Sequence, residues 1–295
     1  MYVITGATGN IGKVVADTLL DAGKSVTVIN RKEEKLKDFV AKGAKPAAGD
    51  LDDAAFLTKV FTGATAAFVL IPGDFLSPDI RAFQNKIGKS ITEAVKKSGI
   101  KNVVVISSVG AHLTEGSGVI QGLHDFENML SEVADANILF LRPCYFMQNF
   151  YGSIGMIKHM GINGGSTSGD IKIPMVHTND IGKVASERLL ALTFKGKSHE
   201  YILGNRDLTY KEATTIIGNA IGKPELPYVQ FPYDQAKAGM IQNGLSESMA
   251  DGFNEMAKAV NEGKLFSDAV RTPANTTKTT FEEFAKEFAG AYQHT

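Results

Sequence analysis

Three glycines in the run GATGNIG, Gly6, Gly9 and Gly12, stand three residues apart near the start of a chain of 295 residues. Tyr2 to Thr5 reads as a short strand ahead of them, and Ile11, Val14, Val15, Thr18 and Leu19 follow helical spacing behind them. Glycines at such a strand-to-helix turn permit a tight bend and close backbone approach to a pyrophosphate, whose charge is met by free N–H groups at the helix N-terminus. Thr8, Asn10 and Ile11 share the turn and are grouped with the glycines as dinucleotide contacts. Spacing alone is a weak signal among 30 glycines; placement between the first strand and the first helix gives it weight.

A dinucleotide site specific for NAD needs a carboxylate about 20 residues further on, at the end of the second strand, to accept from the ribose hydroxyls. That position reads Asn30-Arg31-Lys32. A guanidinium matches a phosphate bidentately, and Lys32 or Lys35 adds a second positive charge, so NADP(H) is expected in preference to NAD(H). Leu70, Ile71 and Pro72 close the fourth strand, and Ser107 and Ser108 the fifth, at the sheet edge where such folds bind ligands.

The elements that must position these residues alternate. Strands are predicted at Tyr2 to Thr5, Ser25 to Ile29, Ala44 to Ala48, Ala64 to Ile71, Asn102 to Ser107 and Ile138 to Leu141, with helices near 11–22, 33–42, 52–62, 78–98 and 119–134. This rhythm predicts an α/β fold, a Rossmann-type doubly wound parallel sheet, with a smaller and mostly helical C-terminal lobe. Residues 1–153 and 170–204 are assigned to the nucleotide-binding domain, and 154–169 and 205–295 to the substrate-side lobe. GINGGSTSG at 161–169 reads as a mobile loop, a strand follows near Ile171 to Pro174 and a helix at 179–193, and two further extended pieces are Glu200 to Leu203 and Tyr228 to Phe231. Thr209 with Glu212 and Thr280 with Glu283 are spaced as capping boxes.

Composition narrows the function classes. With 31 Lys+Arg against 32 Asp+Glu there is no whole-protein field to attract a phosphate backbone or an anionic membrane surface, so direct nucleic-acid binding is not expected. Cys144 is the only cysteine, which excludes an internal disulfide and fits a reducing compartment. Cytoplasm is the expected location, since MYVITGATGN enters a strand at once and no apolar run reaches the roughly 18 residues of a membrane span. No metal site is expected from the spacing of His, Asp and Glu.

TGATGNIG has the GxxGxxG spacing and resembles the fingerprint of extended and atypical short-chain dehydrogenases/reductases. VINR at 28–31, GDLDD at 49–53, SSVGAH at 107–112, HDFENML at 124–130 and LRPCYFMQN at 141–149 resemble the blocks of one branch, the NmrA-like group, which holds NAD(P)H:quinone oxidoreductases and redox-sensing regulators. The resemblance runs over about residues 1 to 205. It implies that Asp50 and Leu51 contact the adenine, although Asp50 is also placed to cap a helix. Standard relatives rely on a Ser and a Tyr-x-x-x-Lys pair; here residues 102–157 hold no lysine, and the one Tyr-x-x-x-Lys, Tyr233 with Lys237, lies in the lobe. The resemblance places His124 beside the nicotinamide, with Glu127 on the same helical face, and His124 is the expected proton donor, with a merely structural histidine as the other reading. Gly110, His112, Tyr145, Phe146 and Asn149 are expected to border the substrate, and Asp180 in VHTND to cap a helix.

Together these readings predict an NADPH-dependent reductase passing hydride to a quinone or similar small-molecule electron acceptor. The alternative is a non-catalytic NADP(H)-binding redox sensor acting through a regulatory protein partner. Homodimer formation is open under either.

Overall fold

Strands such as Val103 to Ile106 are apolar at every position, and such strands need helices over both faces. A computed structural model describing residues 1–295 supplies them. In chain order the first part comprises β1 (Tyr2–Ile4), α1 (Asn10–Asp21), β2 (Val26–Asn30), α2 (Lys37–Ala41), β3 (Lys45–Ala48), α3 (Ala54–Phe61), β4 (Ala66–Leu70), α4 (Ile80–Ser98), β5 (Asn102–Ile106), α5 (Gln121–Ser131) and β6 (Asn137–Pro143). There follow β7 (Tyr145–Phe146), α6 (Ile154–Met160), β8 (Asn163–Gly165), β9 (Ile173–Val176), α7 (Thr178–Ala191) and β10 (Lys197–Ile202). The chain ends with β11 (Asp207–Leu208), α8 (Tyr210–Ala220), β12 (Tyr228–Gln230), α9 (Tyr233–Gln242), α10 (Glu247–Asn261) and α11 (Phe281–His294).

Seven parallel strands form the main sheet in the order β10-β6-β5-β4-β1-β2-β3. The direction of winding reverses between β1 and β4, the crevice where doubly wound sheets bind ligands. One face is covered by α1 and α7 through Val15, Leu19, Ile181 and Leu189, the other by α3, α4 and α5 through Leu57, Ile91, Phe126 and Leu130. The two helices on the first face approach so closely that a Cβ on Gly182 would come within 2.6 Å of the Val14 side chain. A third cluster, with Phe150, Ile217, Phe281, Phe284 and Phe288 at its centre, is the core of the lobe.

Two small sheets join the parts. β9 pairs in parallel with β7 and antiparallel with β11, and β8 pairs in parallel with β12. Met147, Phe150, Ile173 and Met175, which lie in stretches assigned above to the nucleotide-binding domain, are buried in the third cluster. The GINGGSTSG run is a second departure from expectation. It contains β8 and is held in place, with the Tyr228 hydroxyl donating to the Thr167 carbonyl at 2.8 Å, Ser168 N–H to Asn261 Oδ1 at 2.8 Å and Asn261 Nδ2 to the Ser166 carbonyl at 3.1 Å. Its glycines read as loop because the partner strand lies over 60 residues later, beyond the reach of any local pattern. Both expected capping boxes form. No helix is long and apolar enough to cross a membrane.

Candidate functional site

Gly6 sits at φ 62°, a left-handed conformation that glycine adopts without strain. A Cβ on Gly12 would collide with the Gly6 carbonyl oxygen, so Gly12 is required by the fold of the turn itself. Gly9 differs: its φ is −91° and a Cβ there would meet only Gly6 O, at 3.4 Å. Nothing within the protein demands a glycine at that point. No side chain caps α1, whose first-turn N–H groups, including those of Asn10, Ile11 and Gly12, are thus placed to receive an anion. Asn30 Nδ2 donates to Thr8 Oγ1 at 2.9 Å and fixes the end of β2 against the glycine turn.

Beyond Asn30, Arg31 and Lys32 are exposed and enter no ion pair. Asp53 caps α3 by accepting from Phe56 N–H at 2.9 Å. The capping role open to Asp50 is thereby filled, and the Asp50 carboxylate is left with one long contact of 3.4 Å from Asp52 N–H. Leu51 packs partly into the core beside β4, Leu70 lies against Gly6, Ile71 packs on the second core face and Pro72 is exposed at the edge. The residues expected to touch a dinucleotide thus line the carboxyl ends of β1, β2, β3 and β4, and their chemistry fits one carrying a 2′-phosphate.

At the end of β5, Ser107 is buried and donates its hydroxyl to Glu127 Oε1. Glu127 in turn accepts from Arg142 Nε at 3.0 Å and Nη2 at 2.6 Å. Arg142 Nη1 donates to the Tyr201 hydroxyl at 3.0 Å, Tyr201 donates to Asp268, and the Asp268 carboxylate faces His112 Nδ1 at 3.0 Å. Burial works against the Arg142 charge, but the Glu127 carboxylate outweighs it and holds the guanidinium firmly protonated. Burial, followed by donation to Asp268, pushes the Tyr201 hydroxyl up to about 12.

His124 and Glu127, expected as partners, do not touch. His124 Nδ1 lies 2.8 Å from the Ala111 carbonyl and Nε2 lies 2.9 Å from Asn128 Nδ2. A carbonyl can only accept, so Nδ1 carries a hydrogen toward Ala111, while the Asn128 side-chain amide can meet Nε2 in either role. Asp180 is not the cap of α7. His177 takes that role through Nδ1, while Asp180 accepts from Thr279 N–H at 3.0 Å and ties the chain before α11 to α7. Gly110, at φ 82°, is packed beneath Leu265. Phe146 turns into the core of the main sheet. Tyr145 and Asn149, by contrast, line a cavity together with Phe150, Asn163, Tyr210 and Tyr228. Lys237 pairs with Glu247 and Asp251, far in sequence from the sheet edge, and Tyr233 accepts from Asn261, so this pair forms no proton relay. No group of His, Cys, Asp and Glu could hold a metal ion.

The profile of the NmrA-like family matches residues 2–285. The chain belongs to the NmrA-like family. It is 29% identical over 296 residues to the NAD(P)H azoreductase of Xenophilus azovorans, covering 99% of both chains. Among solved structures it is similar to the NADPH-dependent quinone oxidoreductase of Escherichia coli complexed with NADPH, at a TM-score of 0.83, 22% identity and coverage of 97% and 99%. It is also similar to the triphenylmethane reductase of a Citrobacter species complexed with NADP(H), at a TM-score of 0.79, 18% identity and coverage of 98% and 100%.

Two parts of this NmrA-like site escape a reading of motifs. Glu127 and Arg142 stand inside recognised blocks, yet their pairing shows only in the fold. The usable signal was an arginine at the end of the apolar run NILFLRP, since a buried arginine demands a carboxylate. Tyr210 and Tyr228 come from the lobe, where the resemblance is faint, and nothing in their spacing marks them.

Proposed function

We propose that this NmrA-like protein is an oxidoreductase that takes hydride from NADPH, in preference to NADH, and passes it to a quinone or similar small conjugated electrophile. The observation that carries the cofactor preference is Arg31 with Lys32, exposed and unpaired at the end of β2 where an NAD site would hold a carboxylate. The reductase class is supported by relatives over the full chain, whose names are those of an NAD(P)H azoreductase and NADPH-linked reductases. In this reading the turn from Gly6 to Gly12 receives the pyrophosphate, Arg31 and Lys32 the 2′-phosphate, Asp50 and Leu51 the adenine, and the ends of β4 and β5, with Ser108, the nicotinamide half.

A bound reduced nicotinamide supplies the hydride. The protein orients the reactants and manages one proton. The Ser107 hydrogen is committed to Glu127, so on its cofactor side this oxygen can only accept, which suits an amide N–H and excludes Ser107 as the acid. His124, whose Nε2 faces the Asn128 amide, is the group proposed to hand on that proton. A quinone tolerates such a site because its reduced product is aromatic and needs little acid assistance, whereas a ketone would need the missing Tyr and Lys.

The test is consumption of NADPH, with NADH in parallel, against simple quinones, together with Arg31→Ala. One lost charge-assisted phosphate contact of about 1.5–3 kcal/mol predicts roughly 10- to 100-fold weaker NADPH and little change for NADH. Equal losses for both cofactors would remove Arg31 from the 2′-phosphate site. Tight NADPH binding without turnover of any acceptor would put the sensor reading first.

A further inference from the structure

A cavity of about 220 Å³ has walls drawn from three separate stretches of chain. Tyr145 and Asn149 reach it from just beyond β6, Asn163 and Gly165 from β8, and Tyr210 and Tyr228 from the lobe. Tyr210 stacks on Tyr228 with centroids 5.3 Å apart and planes 23° apart, and Tyr145 meets Tyr210 edge-on at 5.5 Å and 77°. No charged side chain lines the space.

We infer that this cavity seats the ring of the electron acceptor, and that the acceptor is a planar, uncharged aromatic or quinonoid molecule bearing a carbonyl oxygen. The inference rests on the reductase reading above and adds the identity of the acceptor site and its chemistry. Size is the first argument. An apolar cavity of about 150 Å³ holds a benzene ring, so this one takes one ring or two fused rings, below the ~300 Å³ at which pockets for larger ligands begin. Charge is the second: a phosphate or carboxylate seated here would be buried without a cation, at a cost of several kcal/mol. The third is the lining. Aromatic faces and edges suit a flat ring, and burial raises the ionisation of the Tyr145, Tyr210 and Tyr228 hydroxyls, keeping them as neutral donors for a carbonyl oxygen. The Tyr228 hydrogen is spent on the Thr167 carbonyl and the Tyr210 hydroxyl is engaged with that of Tyr145, so the Tyr145 hydrogen is the one left to serve.

Gly165 gives an independent observation. It stands in a strand, its φ is not positive, and a Cβ there would meet only the Tyr228 hydroxyl, at 3.5 Å. A strand glycine that the protein does not itself require marks a place where a ligand comes close. Tyr145 also lies two residues past Pro143, the last residue of β6, at the carboxyl edge where parallel sheets place their ligands.

The test uses the full chain loaded with NADP⁺, which cannot reduce the probe, and 1,4-naphthoquinone titrated by calorimetry, with 1-naphthyl phosphate as the charged control. Wild type binds the quinone and not the phosphate. Gly165→Val projects into the cavity and weakens quinone binding by about tenfold or more, raises the quinone KM by a similar factor and leaves NADPH affinity unchanged. Tyr145→Phe, which keeps the ring and removes that donor, raises the quinone KM by about 2- to 10-fold. If Gly165→Val fails to fold, Met156→Phe narrows the cavity from α6 and is read the same way. Wild-type quinone affinity in the folded variants, or equal binding of the naphthyl phosphate, overturns the assignment. Quinone binding that is sensitive to Gly165 in a protein that never oxidises NADPH leaves the cavity assigned and sinks the reductase reading instead.

Discussion

Replacing Glu127 by Ala strands a guanidinium in the interior. Both side chains of the Glu127–Arg142 pair are 9% exposed. The substitution removes two bonds to Arg142, at 3.0 and 2.6 Å, and the acceptor of the Ser107 hydroxyl. What remains to Arg142 is Tyr201 at 3.0 Å and the Asp268 carboxylate at 3.7 Å. Breaking a buried pair on one side costs about 3–5 kcal/mol, and the contacts that remain argue for the middle of that range, about 4 kcal/mol. That is a large share of a total stability of about 5–15 kcal/mol. At roughly 2–4 °C per kcal/mol for a chain somewhat shorter than this one, the melting temperature falls by about 8–16 °C. The chain has no tryptophan, so unfolding in urea is best followed by far-ultraviolet circular dichroism. The midpoint moves while the slope stays constant. Replacing both partners together, Glu127→Leu with Arg142→Met, recovers most of the loss, since no charge is then left unpaired. An Ala variant as stable as one lacking the exposed Lys42–Asp17 pair would refute the reasoning.

The glycine turn separates fold from ligand. Gly9→Ala keeps the wild-type melting temperature but weakens NADPH by about tenfold or more in a titration, whereas Gly12→Ala lowers the melting temperature even without nucleotide; similar melting temperatures for the two would undo the distinction. Cys144 is 3% exposed and burial pushes its thiol up to about 12, so native protein at pH 8 stays unlabelled by a thiol reagent that reacts fully in urea. Burial tends to raise the Asp180 carboxyl, but the Thr279 N–H and the Thr279 and Thr277 hydroxyls together outweigh it and hold it below its ordinary value. Its stabilisation is therefore complete above the ordinary value and fades as pH falls through the lower, folded one. The stability gap between wild type and Asp180→Asn should be full at pH 7 and smaller at about pH 3, and an unchanged gap would place the effect elsewhere.

Much of the nucleotide half was legible because its rules are local. Gly6, Gly9 and Gly12 sit between a strand and a helix in one short stretch, and the strands from Tyr2 to Leu141 announce themselves by apolar runs. The errors share a different cause. β8 was read as loop because Asn163 to Gly165 lack side chains suited to a strand and are ordered by Tyr228 to Gln230 from far along the chain. His124 was read with Glu127 because three residues along a helix predicts a shared face; an arginine from β6 and a backbone carbonyl from Ala111 competed for the two groups and won. Asp50 and Asp53 were both eligible to cap α3, and only the geometry decides that Asp53 does so. Sequence reading fails here wherever a residue has two acceptable partners and the nearer one loses.

The third cluster draws mainly on two separate stretches of chain, Met147 to Met175 and Leu208 onward, with α7 and β10 between them returning to the main sheet. The lobe is consequently not a domain in the sense of something that can be cut out and expressed alone. The pairing of β8 with β12 joins Asn163 to Tyr228, about as long a stretch of chain as the pairing of β1 with β4, Tyr2 to Ala66, at the centre of the main sheet, so both parts wait on distant contacts. The walls of the tyrosine cavity include both β8 and β12. A chain cut before Tyr228 would lose that cavity together with the strand that orders Asn163 to Gly165, whatever becomes of its nucleotide turn.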